Sequence, residues 1–241
     1  MSIKNISVIT ATYNAEAVIS DLIESIKAQT DNAFSWILVD SNSTDNTIRL
    51  IESSDLDNVT IISEPDFGVY DALNKGIDVC RTDYYLVVGA DDILSPTAIE
   101  NYKSAIVNGN MPDFIAASWI TDGKLCLPRK GKSWIKGMSA VASCHSVALL
   151  IKKSLHSSVG YYSPKLPICA DQLFVKRAMN EGASIYVADF VAGNYSSSGM
   201  SGTQTLHYLV DFYKSQIISG ENKYVQTFLF FLRLLKHIRK I

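Results

Sequence analysis

Asp91 and Asp92 are adjacent acids set directly behind an apolar run, Tyr84 to Val88, and a Gly89-Ala90 turn. Neighbouring carboxylates repel, so an ionised pair needs a cation, an Arg or Lys, or open water. A hard divalent ion that shares its oxygen ligands with phosphates suits such a pair. The bland alternative is an acidic turn in which Asp91 or Asp92 caps the helix beginning near Ser95-Pro96. Asp171 poses the same kind of choice. It heads a helical pattern containing Leu173, Val175 and Met179, and reads either as an N-cap or as a carboxylate aimed into a cleft as a general base. His145 heads the apolar stretch Ala142 to Ile151 and reads as a structural histidine or as a ligand contact.

The elements that must position these groups follow from hydrophobic periodicity. Ile6 to Thr12, Trp36 to Asp40, Val59 to Ser63 and Tyr84 to Val88 are strand-like runs. Between them lie helical stripes: Val18, Leu22 and Ile26; Ile48 and Ile51; Val69, Leu73 and Ile77. Successive strand–helix units of about 20–25 residues argue for a parallel sheet with right-handed crossovers. Thr10, Thr12, Asp40, Asp66 and the Asp91-Asp92 pair then collect at the carboxyl edge of that sheet, where open α/β sheets bind ligands. A dinucleotide fold with GxGxxG is disfavoured, because Thr12 to Glu16 contains no glycine, and no Walker A sequence is present.

The second half reads differently. Asp113 to Trp119 and Lys124 to Leu127 predict short strands, Arg129 to Ser133 a basic loop, and Gly160 to Pro164 an aromatic turn. Asn194 to Gly202 is a Ser/Gly-rich linker or lid. Leu206 to Ile218 and Tyr224 to Lys240 predict two final helices. The last gathers Phe228, Phe231, Leu232 and Leu235 on one face and Lys236, Arg239 and Lys240 at its end. Those basic residues suit either the helix dipole or an anionic membrane surface.

The net charge of −2 gives no support for nucleic-acid binding. It is unevenly spread, with +5 over residues 223–241 and −7 over the rest. Cys80, Cys126, Cys144 and Cys169 show no metal spacing and read as buried, reduced thiols. The N-terminus carries no signal-like apolar region, and no apolar run approaches the ~20 residues that span a bilayer. The expectation is a cytoplasmic chain, peripheral on the inner face of the cytoplasmic membrane.

Four segments in order carry a resemblance: Ser7 to Asn14 (SVITATYN), Leu38 to Asp45 (LVDSNSTD), Glu64 to Gly76 (EPDFGVYDALNKG) and Val88 to Asp92 (VGADD). Together they resemble the family 2 glycosyltransferases of the GT-A fold, over about residues 5–200, and within them the bacterial O-antigen and exopolysaccharide branch. The resemblance implies an α/β, Rossmann-like, mostly parallel central sheet flanked by helices, with a C-terminal helical tail. It divides the chain into a GT-A domain over 1–202 and C-terminal helices over 203–241. Within the domain, 1–110 would be the nucleotide-sugar half and 111–202 the acceptor half.

It further implies that Thr10, Thr12 and Tyr13 line the nucleotide pocket, that Asp40 bonds the base or ribose, and that Asp66 and Lys75 flank the nucleotide-sugar. Asp91 would face the ribose or donor sugar, Asp92 would hold Mn2+ or Mg2+, and His145 would stand on the acceptor side. Asp171 would deprotonate the acceptor, and Ser198 to Ser201 would form a mobile segment near the diphosphate. The implied reaction is an inverting transfer from a UDP-sugar to a lipid-diphosphate-linked saccharide. The absence of QxxRW favours single addition. Two departures stand out: Gly89 occupies the usual first acid of the DxD pattern, and Ala170 the acid often found before the base. They leave room for a degenerate sugar-nucleotide-binding subunit of a polysaccharide assembly complex. A sugar nucleotidyltransferase is a further alternative, weakened by the missing Gly-rich, basic first loop.

Overall fold

The computed structural model describes residues 6–129, 131–140, 142, 145–196 and 204–238. Its first half follows the expected alternation: β1 Ile6–Thr12, α1 Ile19–Lys27, β2 Phe34–Asp40, α2 Thr47–Glu52, β3 Val59–Ser63, α3 Val69–Val79 and β4 Tyr84–Val87. The strands β3-β2-β1-β4 are adjacent in that order and parallel throughout, with Thr12 opposite Asp40 and Asp40 opposite Ser63. The polar strand ends are thereby lined up along one edge.

Beyond β4 the sheet becomes mixed. The elements are β5 Ile93–Leu94, α4 Ala98–Asn108, β6 Phe114–Thr121, β7 Lys124–Cys126, α5 Ser133–Lys136, β8 Leu149–Lys152, α6 Leu155–Val159, α7 Ala170–Asn180 and β9 Ile185–Asn194. Two helices follow, α8 Thr205–Ile218 and α9 Lys223–His237. β8 runs antiparallel between β4 and β6, while β9 lies parallel to β6 and antiparallel to β5. The parallel arrangement expected from the first strand–helix units holds for the four strands they supply, within a sheet that is mixed beyond them. The long strand β9 had no counterpart in the sequence reading, and the apolar strand behind His145 is shorter than expected, preceded by a 3-10 turn over Ser146–Ala148.

Helices cover both faces. Period-two alternation along β1 sends Ile6 and Val8 to one core, with Leu22 and Ile26 of α1 and Ile99 and Tyr102 of α4. Ile9 goes to the other core, with Leu73 and Ile77 of α3 and Leu173 and Phe174 of α7. Val18 is exposed, so the α1 stripe begins at Ile19. α3 approaches the sheet so closely that a Cβ at Gly76 would lie 2.6 Å from the Ile9 methyl, which explains a glycine in mid-helix. Cys80 and Cys169 are buried free thiols, whereas Cys126 is only half-buried at the β7 edge; Cys144 lies outside the described residues.

Candidate active site

The loops after β1 and β2 are zipped together along the carboxyl edge. Asn14, in the left-handed region at φ 48°, accepts the Thr44 N–H at 2.9 Å, and its own N–H donates to Ser43 at 2.8 Å. Asp45 accepts the Glu16 N–H, and Glu16 accepts the Asn46 N–H in return. This lacing fixes a rigid rim, on which Tyr13 stands 65% exposed.

Beneath the rim, two of the expected nucleotide contacts have no accessible surface. Thr10 is 0% exposed and its hydroxyl accepts the Trp36 indole N–H at 3.0 Å. Strand alternation places it with Val8 under α1, on the face away from the cavity that Ala11 lines. Asp40 is likewise 0% exposed, with its oxygens taken by the hydroxyls of Thr12, Ser43 and Ser63 and by the Ser43 N–H. It fastens three strand ends rather than presenting a carboxylate to a ligand, and Thr12, also buried, serves it.

Asp66 closes a turn by accepting the Gly68 N–H at 2.8 Å, and Gly68 adopts φ 109°, a conformation suited to glycine. Lys75 reaches back from α3 to Glu64 at 2.9 Å and to the Pro65 carbonyl at 2.7 Å. Asp66 and Lys75 thus belong to one loop–helix unit, as their motif suggested.

The acidic turn divides its two carboxylates. Asp92 is 2% exposed; its oxygens accept the Gly89 N–H at 2.9 Å and the Ser196 N–H at 3.1 Å. Burial pushes its carboxyl up to about 6, against the pull of those two N–H donors. Asp91 is half-buried and is the acid of the pair with surface to offer. Asp92 is thus the acid that ties the turn to the end of β9, and Asp91 the more exposed of the two.

A side chain at Gly89 would begin 3.0 Å from Asp91 Oδ1 and 3.0 Å from Asp92 Oδ2, so both acids flank the open face of that glycine. Among the described residues no cluster of three His, Cys, Asp or Glu side chains is placed to hold a metal. A pair of carboxylates fits an ion that takes its remaining oxygen ligands from phosphates and water. Ser196 also brings the end of β9 to the acidic turn, directly before the segment Ser198 to Ser201, which lies outside the described residues.

His145 is half-buried, stacked on Tyr195 at 3.6 Å between ring centroids and edge-on to Trp119 at 5.4 Å. Burial lowers its pKa to about 4, so the imidazole is neutral near pH 7.

Asp171 is not a helix cap. The N-cap of α7 is Cys169, which makes no side-chain cap bond, and Asp171 lies inside the first turn. Its Oδ1 accepts the Tyr70 O–H at 2.8 Å and the Gln172 N–H at 2.8 Å. Burial raises its pKa, opposed by these two donors, which makes the carboxyl a stronger proton acceptor than an exposed aspartate. A cavity of ≈ 180 Å³ connects Asp171 and Tyr70 to Val88 and Gly89 at the end of β4, and Leu149 and Val175 form part of its apolar wall. Tyr70 was within a quoted motif but not singled out. Its position two residues past Gly68, in the first turn of a helix at the ligand edge, was the available signal.

Comparison with known proteins follows the same outline. Residues 7–124 match the family described as Glycosyl transferase family 2. Among curated relatives, the "PGL/p-HBAD biosynthesis glycosyltransferase" of Mycobacterium bovis is 28% identical over 208 residues, covering 82% of this chain and 79% of that protein. Among solved structures, S. aureus TarS 1-349 in complex with UDP-GlcNAc gives a TM-score of 0.67 at 18% identity, over 98% of this chain and 73% of that 1-349 fragment. The mannosyltransferase PcManGT of Pyrobaculum calidifontis, in complex with GDP-Man and Mn2+, gives 0.70 at 14% identity, over 98% and 75%.

Proposed function

The chain belongs to glycosyl transferase family 2, and from that premise we propose that it transfers one sugar, with inversion, from a UDP-sugar to a hydroxyl of a lipid-linked saccharide acceptor of the O-antigen or exopolysaccharide kind. The observation that carries this reading is the cavity that joins Gly89, at the end of β4 just before the two acids, to Asp171. A donor at the strand ends and an acceptor hydroxyl beside Asp171 then meet across that cavity.

In this reading Asp171 takes the proton of the acceptor hydroxyl as the oxygen attacks the anomeric carbon from the side opposite the leaving nucleoside diphosphate. The apolar wall limits water as a competing nucleophile. The laced β1 and β2 loops support the nucleotide from below, with Tyr13 at its surface and the Asp66–Lys75 unit beside it. Asp91 is the acid that would hold Mn2+ or Mg2+, with Asp92 fastening the turn beneath it. Such an ion supplies positive charge against the leaving diphosphate when bound. His145, neutral and fixed by Tyr195, contributes a hydrogen-bonding edge on the acceptor side.

Incubation with UDP-glucose, UDP-galactose or UDP-N-acetylglucosamine and a lipid-diphosphate sugar, with and without Mn2+, tests the reading. UDP release that requires both the acceptor and one of the donors is the expected result. Donor binding without release in any combination would instead make the chain a binding subunit.

The membrane part of the reading concerns residues 225–241. Phe228, Phe231 and Leu235 are exposed along one face of α9, with exposed Ile238 just past its end, and Lys223 and Lys236 flank them. No helix among the described residues is long and apolar enough to cross a membrane. An anionic surface matches both the apolar stripe and its basic flanks. Replacing Phe228 and Leu235 together by Glu is expected to weaken co-sedimentation with phosphatidylglycerol vesicles about 100-fold, taking ~1.5 kcal/mol per lost insertion. Unchanged sedimentation would remove the membrane contact.

A further inference from the structure

Tyr70 is joined to Asp171 by more than one contact. Its phenol oxygen lies 2.8 Å from Asp171 Oδ1 and 2.9 Å from the Ile168 carbonyl oxygen. One O–H cannot donate fully to both acceptors at once. The backbone at Ile168 is also anchored from its amide side, where its N–H donates to Asp211 Oδ2 of α8 at 3.0 Å, and Asp211 is 3% exposed. The Tyr70 ring packs on Tyr162, 5.4 Å between centroids, so the phenol oxygen is fixed while its hydrogen retains two positions.

From this geometry we infer that Tyr70 is the positioning residue of the transfer base, its O–H donating to Asp171 while Asp171 is ionised and turning to the Ile168 carbonyl once Asp171 carries the acceptor proton. The inference rests on Asp171 being the base. In the transfer the acceptor O–H bond breaks and its proton passes to Asp171. The acceptor oxygen bonds the anomeric carbon, and the bond from that carbon to the diphosphate breaks with the electron pair leaving on the phosphate. The proton arrives on Oδ2, because Oδ1 already accepts from Tyr70 and Gln172, and the Tyr70 hydrogen, held less tightly by the neutral carboxyl, turns to the Ile168 carbonyl. Tyr70 neither gains nor loses a proton overall. The Tyr70 hydroxyl has an acceptor in both protonation states of the base, so only its hydrogen moves and the ring stays where it is.

The other titratable groups around Asp171 do not offer this exchange. Tyr162, from the loop before α7, is committed to Tyr85, which also bonds His156. Cys169, beside it, faces the Tyr208 carbonyl, and burial together with the Asp171 and Asp211 charges pushes its thiol far up. Asp211 faces Ile168 and Lys214. Among the described residues, Tyr70 is the side chain that donates to the carboxylate from across the cavity.

Tyr70→Phe removes the hydroxyl and keeps the ring against Tyr162. With a carbon-13 label on aspartate carboxyls, Asp171 is assigned by its disappearance in Asp171→Asn and titrated in both backgrounds. Loss of a donor to a carboxylate disfavours the charged form, so the Asp171 midpoint is expected to rise by about one pH unit in Tyr70→Phe. In the transfer assay the acid limb of kcat moves up with it and plateau kcat falls about 10-fold, while KM for the UDP-sugar stays at the parent value. The double variant Tyr70→Phe/Asp171→Asn should be no slower than Asp171→Asn alone. An unmoved Asp171 midpoint with parental kcat, in a protein where Asp171→Asn is inactive, overturns the inference and leaves the base in place. Parental turnover by Asp171→Asn overturns the base itself.

Discussion

Asp171→Asn is expected to lower sugar transfer by about 10²–10⁴-fold, the usual cost of losing a general base, with UDP binding retained. The geometry makes this a clean substitution. The amide oxygen of asparagine can occupy the place of Oδ1 and accept the Tyr70 O–H and the Gln172 N–H, each at 2.8 Å in the parent. What is lost is the capacity to take a proton. The rim proposed to support the nucleotide, built by Asn14, Glu16, Asp45 and Asn46, lies on the β1 and β2 loops and makes its bonds without α7. Calorimetric UDP affinity should therefore stay within about twofold of the parent, the spread of a substitution without coupling to the binding loops.

The pH profile gives an independent check. Because burial raises the Asp171 pKa above the ordinary carboxylate range of about 3.9, the parent should lose kcat on the acid side at a pH higher than an exposed aspartate would allow. Activity rises with pH through that limb, since the working form is deprotonated. Turnover by Asp171→Asn within a few fold of the parent would show that another group removes the proton.

The parts of the fold that local periodicity controls were legible. β1 to β4 and α1 to α3 follow from runs of β-branched residues separated by i, i+4 stripes, and these registers agree with the four-strand parallel core. The second half was less so, for physical reasons. β9 pairs with β6 through register shifts near Ala116 to Trp119, so its burial does not alternate cleanly and no period-two signal survives. β8 is only Leu149–Lys152, and its apolar approach is spent in a 3-10 turn.

At the site, the sequence located the edge but not the depth. Thr10, Thr12 and Asp40 sit at strand ends, yet alternation and the Trp36 and Ser63 contacts turn them inward. Depth depends on partners from other strands, which spacing within one strand does not encode. The same limit hid Tyr70, whose significance comes from two acceptors about a hundred residues away, at Ile168 and Asp171.

The sharpest consequence of depth is the contrast between Asp91 and Asp92. Asp91→Asn is expected to weaken Mn2+-dependent UDP binding by at least about 10-fold, as for a lost charged contact. Asp92→Asn should act first on the fold. Its carboxylate accepts two backbone N–H groups, from Gly89 at 2.9 Å and Ser196 at 3.1 Å, in a side chain only 2% exposed. An asparagine offers one acceptor oxygen and one NH2, so whichever way it turns, one N–H donor faces another donor. Leaving a buried backbone N–H unsatisfied costs about 1–3 kcal/mol. For a chain of this length that corresponds to a fall in Tm of about 2–4 °C per kcal/mol, measured without metal present. Binding then weakens as well, because Gly89 and Ser196 are the two ends that Asp92 holds together at the acidic turn. The opposite pattern is decisive too. If Asp92→Asn keeps the parental Tm and loses the Mn2+ dependence, while Asp91→Asn does neither, then the buried acid is the one on the ion.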